Sequence, residues 1–187
     1  MIRIIKKILY FPLAYYFRFF AKIQLSIWKP IIIVVTGSSG KTTLLHLIES
    51  QLGNKARYSH RANSSYGIPF DILGLSRKNL TPDEWIFLFL LAPLKAFKNV
   101  PKEKLYIVEA DCDRPGEGKF LASLLKPEVT LWIISNLRHS VNFDYLVKNK
   151  CFLTVEEAIA YEFGFFLQYT KNLAIVNADS PLIQKEL

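Results

Sequence analysis

The residues best suited to chemistry stand together at positions 36–43, where the sequence reads TGSSGKTT. Glycine lets main-chain N–H groups close on an anion, and the N-terminus of a following helix adds partial positive charge. We predict that Lys41 reaches the outer phosphates of a nucleotide and that the hydroxyl of Thr42 or Thr43 binds Mg²⁺. The alternative is a chance Gly/Ser turn before a helix. We interpret the segment as an ATP site formed by Gly37, Ser38, Ser39, Gly40, Lys41, Thr42 and Thr43.

Carboxylates that could complete a metal site follow the apolar run at 105–108. Glu109 is placed to meet the Mg²⁺ that Thr42 would hold, because Mg²⁺ prefers oxygen ligands. The alternative for Glu109 is a solvated acid at the end of a strand. Asp111 and Asp113 lie just beyond and could help the metal or orient water, but the sequence DRPG at 113–116 favours a turn.

Three further polar residues follow strand-like runs. His139 lies within reach of a metal or a phosphate, or has a structural role. Asn177 and Asp179 could hydrogen-bond adenine or ribose, or form an Asx turn.

The elements that must position these residues alternate along the chain. Apolar runs at 31–35, 105–108, 129–134 and 173–176 predict strands, and the patterns at 44–53, 81–98, 116–125 and 154–169 predict helices. This alternation predicts an α/β fold with a mostly parallel sheet and helices on both faces. Since ligands bind at the carboxyl ends of such strands, the polar residues that follow them should gather at one edge.

The N-terminal residues 1–29 differ in character from the rest. The first thirty residues carry six basic side chains and no acid, which is most of the net charge of +8. Basic residues interleaved with aromatic ones favour a helix in the membrane interface. The alternative is a helix packed on the domain with its aromatic rings in the core. The longest uncharged run, Ile8 to Phe17, is too short to span a bilayer.

A second apolar helix could make a further membrane contact. It is predicted to begin at Thr81, with Pro82 in the first turn and Glu84 closing a capping box. We therefore divide the chain into a possible membrane-interfacial helix, 1–29, and an ATP-binding domain, 30–187.

Composition excludes some classes of protein. Because the basic excess belongs to the N-terminal segment, a nucleic-acid-binding face is not expected. Cys112 and Cys151 make no metal-like spacing, and we predict two buried free thiols in a reducing, cytoplasmic compartment.

Four segments, in order, resemble the ATPase domain of the Mur ligases, and most nearly that of the members that add D-alanyl-D-alanine. TGSSGKTT resembles their ATP loop, and NSSYGIP at 63–69 resembles N-N-E-x-G-x-P. EADCDRPGE at 109–117 is similar to E-x-G-A-x-x-x-G-E, and Asn177-Ala178-Asp179 looks like a nucleotide-contacting N-A-D. The resemblance covers about residues 30–182.

The resemblance implies an activity and roles for particular residues. Lys41 would bind the ATP phosphates, Thr42 and Glu109 a first Mg²⁺, and His139 a second Mg²⁺. The reaction would transfer the γ-phosphate to a peptidoglycan-precursor carboxylate, giving an acyl phosphate that an amine substrate attacks. Alternatives are a polyglutamate-adding ligase, an amidotransferase subunit acting on lipid-linked precursors, and a membrane-associated nucleotide-binding module without catalysis.

The chain also departs from the family pattern. Asp111 stands where the family has glycine, His139 lies closer to Asn136 than the family's histidine does, and Glu162 stands where lysine is common. On this resemblance, counterparts of the family's UDP-sugar-binding and C-terminal domains are not expected within residues 1–187, and further strands are expected after Asp179. We therefore expect the ATPase domain to be incomplete at its C-terminus.

Overall fold

The computed structural model describes residues 2–60, 62–78, 81–98, 100–135 and 142–187, with side chains from residue 9 onward. The strands are β1 (Ile31–Thr36), β2 (Ala56–Tyr58), β3 (Leu105–Ala110), β4 (Val129–Trp132) and β5 (Leu173–Val176). The helices are α1 (Ile2–Trp28), α2 (Lys41–Leu52), α3 (Gly67–Leu73), α4 (Pro82–Phe97), α5 (Glu117–Leu125), α6 (Asp144–Lys148), α7 (Val155–Gln168) and α8 (Pro181–Gln184). A short 3₁₀ turn, Gly53–Lys55, joins α2 to β2.

The strands form one five-stranded sheet in the order β2-β3-β1-β4-β5, and each neighbouring pair is parallel. β1 is central, and its register pairs Val35 with Glu109 on one side and Thr36 with Trp132 on the other. The carboxyl ends of β1, β3 and β4 therefore meet at one edge. This confirms the predicted α/β fold with a parallel sheet.

Two hydrophobic cores lie on opposite faces of the sheet, because neighbouring residues of a strand point to opposite faces. The smaller core joins Val35 and Ile107 to Leu45 of α2. The larger core joins Val34, Tyr106 and Val108 to the remaining long helices. The phosphate-loop helix α2 therefore covers one face, and helices on both faces are confirmed.

Helix α1 packs against α3 and α4 and forms part of the larger core. The Phe17 ring is fully buried against Phe70 and Phe89, at centroid distances of 4.7 and 5.0 Å. The buried Trp28 indole donates a hydrogen bond to Glu103 O at 2.6 Å. This face of α1 therefore packs on the domain, which is the alternative given for residues 1–29 in the sequence analysis. The division of the chain at residue 29 stays a prediction.

Several local features differ from expectation. The sequence patterns do not predict β2 and α3, nor α6 and α8, which the structure contains. Within the described chain, Thr81 makes no side-chain cap to α4, and Glu84 accepts the N–H of Lys78 instead. The expected capping box is therefore wrong. Cys112 is buried as expected, but Cys151 is exposed.

Among the described residues, no helix combines the length and apolarity needed to cross a bilayer.

Candidate functional site

The phosphate loop follows β1 and is fixed against the end of β4. Gly37 has φ +127°, and a Cβ there would lie 2.7 Å from Ile134 O. Ser38 donates its backbone N–H to the same carbonyl at 2.8 Å. Both the positive φ and the close approach require glycine at position 37.

Helix α2 begins at Lys41, directly after Gly40, which adopts the left-handed conformation with φ 81°. In the described chain no side chain caps this helix, so its first N–H groups stay available to an anion. The side chains of Ser39, Thr42 and Thr43 are exposed around this helix end. This is the arrangement that the predicted phosphate-binding role requires.

The Lys41 side chain is directed back across the loop and is only 3 % exposed. Its ammonium donates to Gly37 O and lies 3.0 Å from Asp111 Oδ2. Asp111 follows β3 by one residue, so the neighbouring β1 and β3 bring the two side chains together. A cation therefore lies under the loop, paired with a carboxylate.

Thr42 and Glu109, which the sequence assigns to one Mg²⁺, are in direct contact. The Thr42 hydroxyl donates to Glu109 Oε2 at 2.8 Å. Glu109 is buried at the end of β3, and its backbone N–H donates to Ser59 Oγ at 3.0 Å. A hydroxyl and a carboxylate at this spacing are oxygen donors of the kind that Mg²⁺ prefers, so these residues fit the predicted metal.

A cavity of about 650 Å³ opens beside this contact. Its lining residues come from α2, the end of β3 and the segment that follows β2. They are Thr42, Leu45, His46, Glu49, His60, Ala62, Asn63 and Glu109. Asn63, singled out in the NSSYGIP segment, thus lies on the same cavity as the Thr42–Glu109 pair.

Asn177 and Asp179 lie elsewhere on the same sheet edge, after β5. Asn177 Oδ1 accepts the backbone N–H of Asp179 at 3.0 Å, which is the Asx turn given as the alternative. Both residues line a smaller cavity of about 230 Å³ with Ile134 and Ser135. Ile134 O also accepts the N–H of Ser38, so this cavity adjoins the phosphate loop.

His139, predicted as a second metal ligand, lies outside the described residues, as does Asn136. Asp113 is exposed in the turn before α5, as predicted for that sequence. Its backbone N–H donates to Glu117 Oε2 at 3.0 Å.

Glu117 has a structural role that the sequence did not reveal. It is buried, and Oε1 accepts the N–H and the hydroxyl of Ser65 at 2.8 and 2.7 Å and the Tyr10 hydroxyl at 3.2 Å. Burial raises the pKa of this carboxyl above its ordinary value. Glu117 therefore joins α1, the NSSYGIP segment and the turn after β3. In the sequence, the position of Glu117 at the end of the EADCDRPGE motif could have indicated this role.

Glu162 of α7 supports the N-terminus of α5. Its two carboxylate oxygens accept the N–H groups of Gly116 and Gly118 at 2.6 and 2.8 Å. A Cβ at Gly118 would lie 2.0 Å from Glu162 O, so the two helices approach too closely for any larger residue. Burial raises the pKa of the Glu162 carboxyl.

The family model described as the Mur ligase middle domain matches residues 35–187. The chain belongs to the Mur ligase family. No protein of curated function matches the sequence.

Solved structures of MurF ligases share the fold of this Mur ligase domain. The MurF ligase from Thermotoga maritima, crystallised in complex with ADP, is 23 % identical with a TM-score of 0.65, over 92 % of this chain and 34 % of that one. MurF from Acinetobacter baumannii is 18 % identical with a TM-score of 0.60, over 93 % of this chain and 31 % of that one. The chain thus spans about a third of the MurF chains, and at these identities the likeness concerns the fold alone.

Proposed function

We propose that this chain binds Mg-ATP and forms the nucleotide-binding part of a ligase that joins a carboxylate to an amine in peptidoglycan-precursor synthesis. The observation that carries the proposal is the 2.8 Å contact of Thr42 with Glu109 at the start of α2. It supports the proposal because a hydroxyl and a carboxylate are oxygen donors of the kind that Mg²⁺ prefers, and they lie beside a loop with a buried lysine.

The residues take distinct roles in this proposal. Gly37, Ser38, Ser39, Gly40 and Thr43 shape the loop around the phosphates, and Lys41 neutralises the outer ones. Thr42 and Glu109 hold Mg²⁺, which supplies positive charge against the phosphoryl oxygens, and His139 is assigned to a second Mg²⁺. Asn177 and Asp179 contact adenine or ribose.

The proposed reaction activates a carboxylate. A carboxylate oxygen of the acid substrate takes the γ-phosphoryl group of ATP, and ADP leaves. The amine then attacks the carbonyl carbon, inorganic phosphate leaves, and a proton is lost from nitrogen. The acyl phosphate is needed because a carboxylate is a poor electrophile. The family and the MurF fold support this chemistry, and the ADP bound to the Thermotoga maritima protein supports the choice of nucleotide.

Titration calorimetry with Mg-ATP tests the nucleotide site. Lys41→Ala should weaken binding about tenfold or more, because it removes a charged contact to phosphate. Glu109→Gln should remove the Mg²⁺ dependence of binding. The exposed Lys55→Ala and the distant Glu156→Gln are matched controls and should bind as the wild type does. Equal affinity in all five proteins would overturn the assignment.

A second assay separates a ligase from a module that only binds nucleotide. The assay uses a full-length relative that contains this domain and a C-terminal domain; UDP-muramyl tripeptide and D-alanyl-D-alanine are added together and singly, and phosphate release is followed. Release that requires both substrates supports the ligase. Nucleotide binding without substrate-dependent release contradicts it and favours the non-catalytic module. Release with lipid-linked precursors alone favours the amidotransferase subunit.

We also propose that the protein contacts an anionic membrane surface from the cytoplasmic side. The α4 ridge, defined as Ile86, Phe87, Leu90, Leu94 and Phe97, consists of large apolar side chains that are all more than half exposed. Helix α1, which packs against α4, also exposes the apolar Phe19 and the basic Lys22. This pairing suits an interface of acyl chains and anionic headgroups.

Vesicle flotation tests the membrane proposal. Removing residues 1–29 would be unsuitable, because α1 contributes Phe17 and Trp28 to the core. Leu90→Glu should instead shift the protein from phosphatidylglycerol vesicles to the soluble fraction. Leu153→Glu, at a side chain 85 % exposed elsewhere, is the control. Flotation unaffected by Leu90→Glu would refute the proposal.

A further inference from the structure

Two histidines and a glutamate converge on the wall of the larger cavity. His46 Nδ1 lies 3.3 Å from Glu49 Oε2, and His60 Nε2 lies 3.0 Å from Glu49 Oε1. One donor atom from each residue can be chosen so that all three lie within 4.8 Å of one another. The carboxylate is thus placed between two imidazoles.

Local structure explains why these side chains meet. His46 and Glu49 are three residues apart on α2 and share one face of that helix. His60 comes two residues after β2, a strand that α2 contacts directly. The two imidazole rings are stacked with their centroids 5.2 Å apart. The Tyr58 ring is stacked against His60 at a centroid distance of 6.0 Å.

The donor set and its spacing suit a transition metal better than Mg²⁺. Two imidazoles and one carboxylate are donors that Zn²⁺ accepts, whereas Mg²⁺ prefers oxygen throughout. Zn–N and Zn–O bonds of about 2.1 Å place neighbouring tetrahedral ligands roughly 3.4 Å apart. Each imidazole nitrogen lies near that spacing from one oxygen of Glu49, at 3.3 Å to Oε2 for His46 and at 3.0 Å to Oε1 for His60.

We propose that His46, Glu49 and His60 form a binding site for a divalent transition-metal ion of the Zn²⁺ type. The three side chains supply three ligands, and water supplies the fourth on the side that faces the cavity. The site is separate from the Thr42–Glu109 pair, although both line the same cavity. It does not depend on the proposed ligase activity.

Equilibrium dialysis with Zn²⁺ in the presence of excess Mg²⁺ tests the site. The exposed Cys151 is replaced by serine in every protein, because a free thiol would bind Zn²⁺ by itself. We expect one saturable Zn²⁺ per chain, unaffected by Mg²⁺. Co²⁺ in the same site should give the strong visible absorption of a tetrahedral ion. His46→Gln and His60→Gln should each weaken Zn²⁺ binding at least about tenfold, since even indirect support of a metal ligand is worth that much.

Two controls make the result specific. Glu156→Gln removes a carboxylate far from the cluster and should keep full Zn²⁺ binding. Glu109→Gln should lose Mg-dependent nucleotide binding yet keep Zn²⁺, which separates this site from the nucleotide site. The histidine variants change exposed side chains, and circular dichroism verifies their fold. Absence of Zn²⁺ binding, or binding equal in the wild type and both histidine variants, overturns the proposal.

Discussion

The Lys41 ammonium lies 3.0 Å from the Asp111 carboxylate, and both side chains are buried at the end of the central strands. Asp111 occupies the position where the Mur ligase pattern has glycine. Its backbone does not require glycine, since its φ is not positive. The lysine assigned to the ATP phosphates is therefore already paired with an acid of its own chain.

We predict that Asp111→Gly strengthens Mg-ATP binding. A phosphate must compete with the Asp111 carboxylate for Lys41, and a charge-assisted contact is worth about 1.5 kcal/mol or more, so affinity should rise about tenfold. Calorimetry with Mg-ATP measures the change. Asp113→Asn, two residues further along in an exposed turn, is the control. Weaker binding in Asp111→Gly would mean instead that Asp111 contributes to nucleotide or metal binding.

We predict that Gly37→Ala lowers the free energy of unfolding by about 3 kcal/mol or more, since it combines backbone strain with a steric clash. The added methyl group would meet Ile134 O at 2.7 Å at a φ of +127°. Gly74→Ala is the matched control, because its φ of 61° is also positive and lies in the left-handed helical region, but nothing lies within 4 Å of the added atom. It should cost only about 1–2 kcal/mol. Urea denaturation compares them, and equal losses would show that the close approach to Ile134 contributes nothing.

A third prediction concerns α1. Phe17→Ala should destabilise the protein by about 3–5 kcal/mol, as expected for an aromatic ring removed from a core. Phe19→Ala, on the same helix but 59 % exposed, should change stability by less than about 1 kcal/mol. Thermal and urea unfolding measure both variants. If the two variants lose the same stability, α1 is not part of the folded core.

The buried carboxyl of Glu162 predicts a pH dependence of stability. Burial raises its pKa above the ordinary value of 4.5, so the folded state binds this proton more tightly than the unfolded state does. The resulting stabilisation is complete below pH 4.5 and is lost as the pH rises through the raised pKa. Glu117 acts in the same direction.

Urea unfolding across this pH range should therefore show a shallower decline in Glu162→Gln than in the wild type. Glu157 provides a control of opposite sign, because its hydrogen bond with Lys185 lowers the pKa of its carboxyl. Its contribution is present above its ordinary pKa and lost as the pH falls. A wild-type profile identical to that of Glu162→Gln would contradict the prediction.

The sequence predicted four of the five strands, because β-branched and apolar runs such as Ile31–Val35 reveal burial on both faces. It also placed Thr42 beside Glu109, since parallel strands and their following loops meet at one edge. β2 could not be predicted in the same way. Its three residues, Ala56–Tyr58, form a strand only because β3 pairs with them.

Other features depended on distant contacts. The basic and aromatic composition of α1 fits a lipid surface and a protein core equally well, and only its packing on α3 and α4 decides which rings are buried. The pairing of Lys41 with Asp111 required two strands to be adjacent. The cluster of His46, Glu49 and His60 joins residues from two elements, so no spacing along the chain revealed it.

Strand β4 supports two loops at once. Ile134 O, just beyond the strand, accepts the N–H of Ser38 and leaves no room for a Cβ at Gly37. Trp132 O accepts the N–H of Asn177. The phosphate loop and the Asn177 turn are therefore attached to backbone carbonyls only two residues apart, those of Ile134 and Trp132. Any displacement of this short segment would move both loops together, so the two ends of an elongated ligand would keep a constant separation.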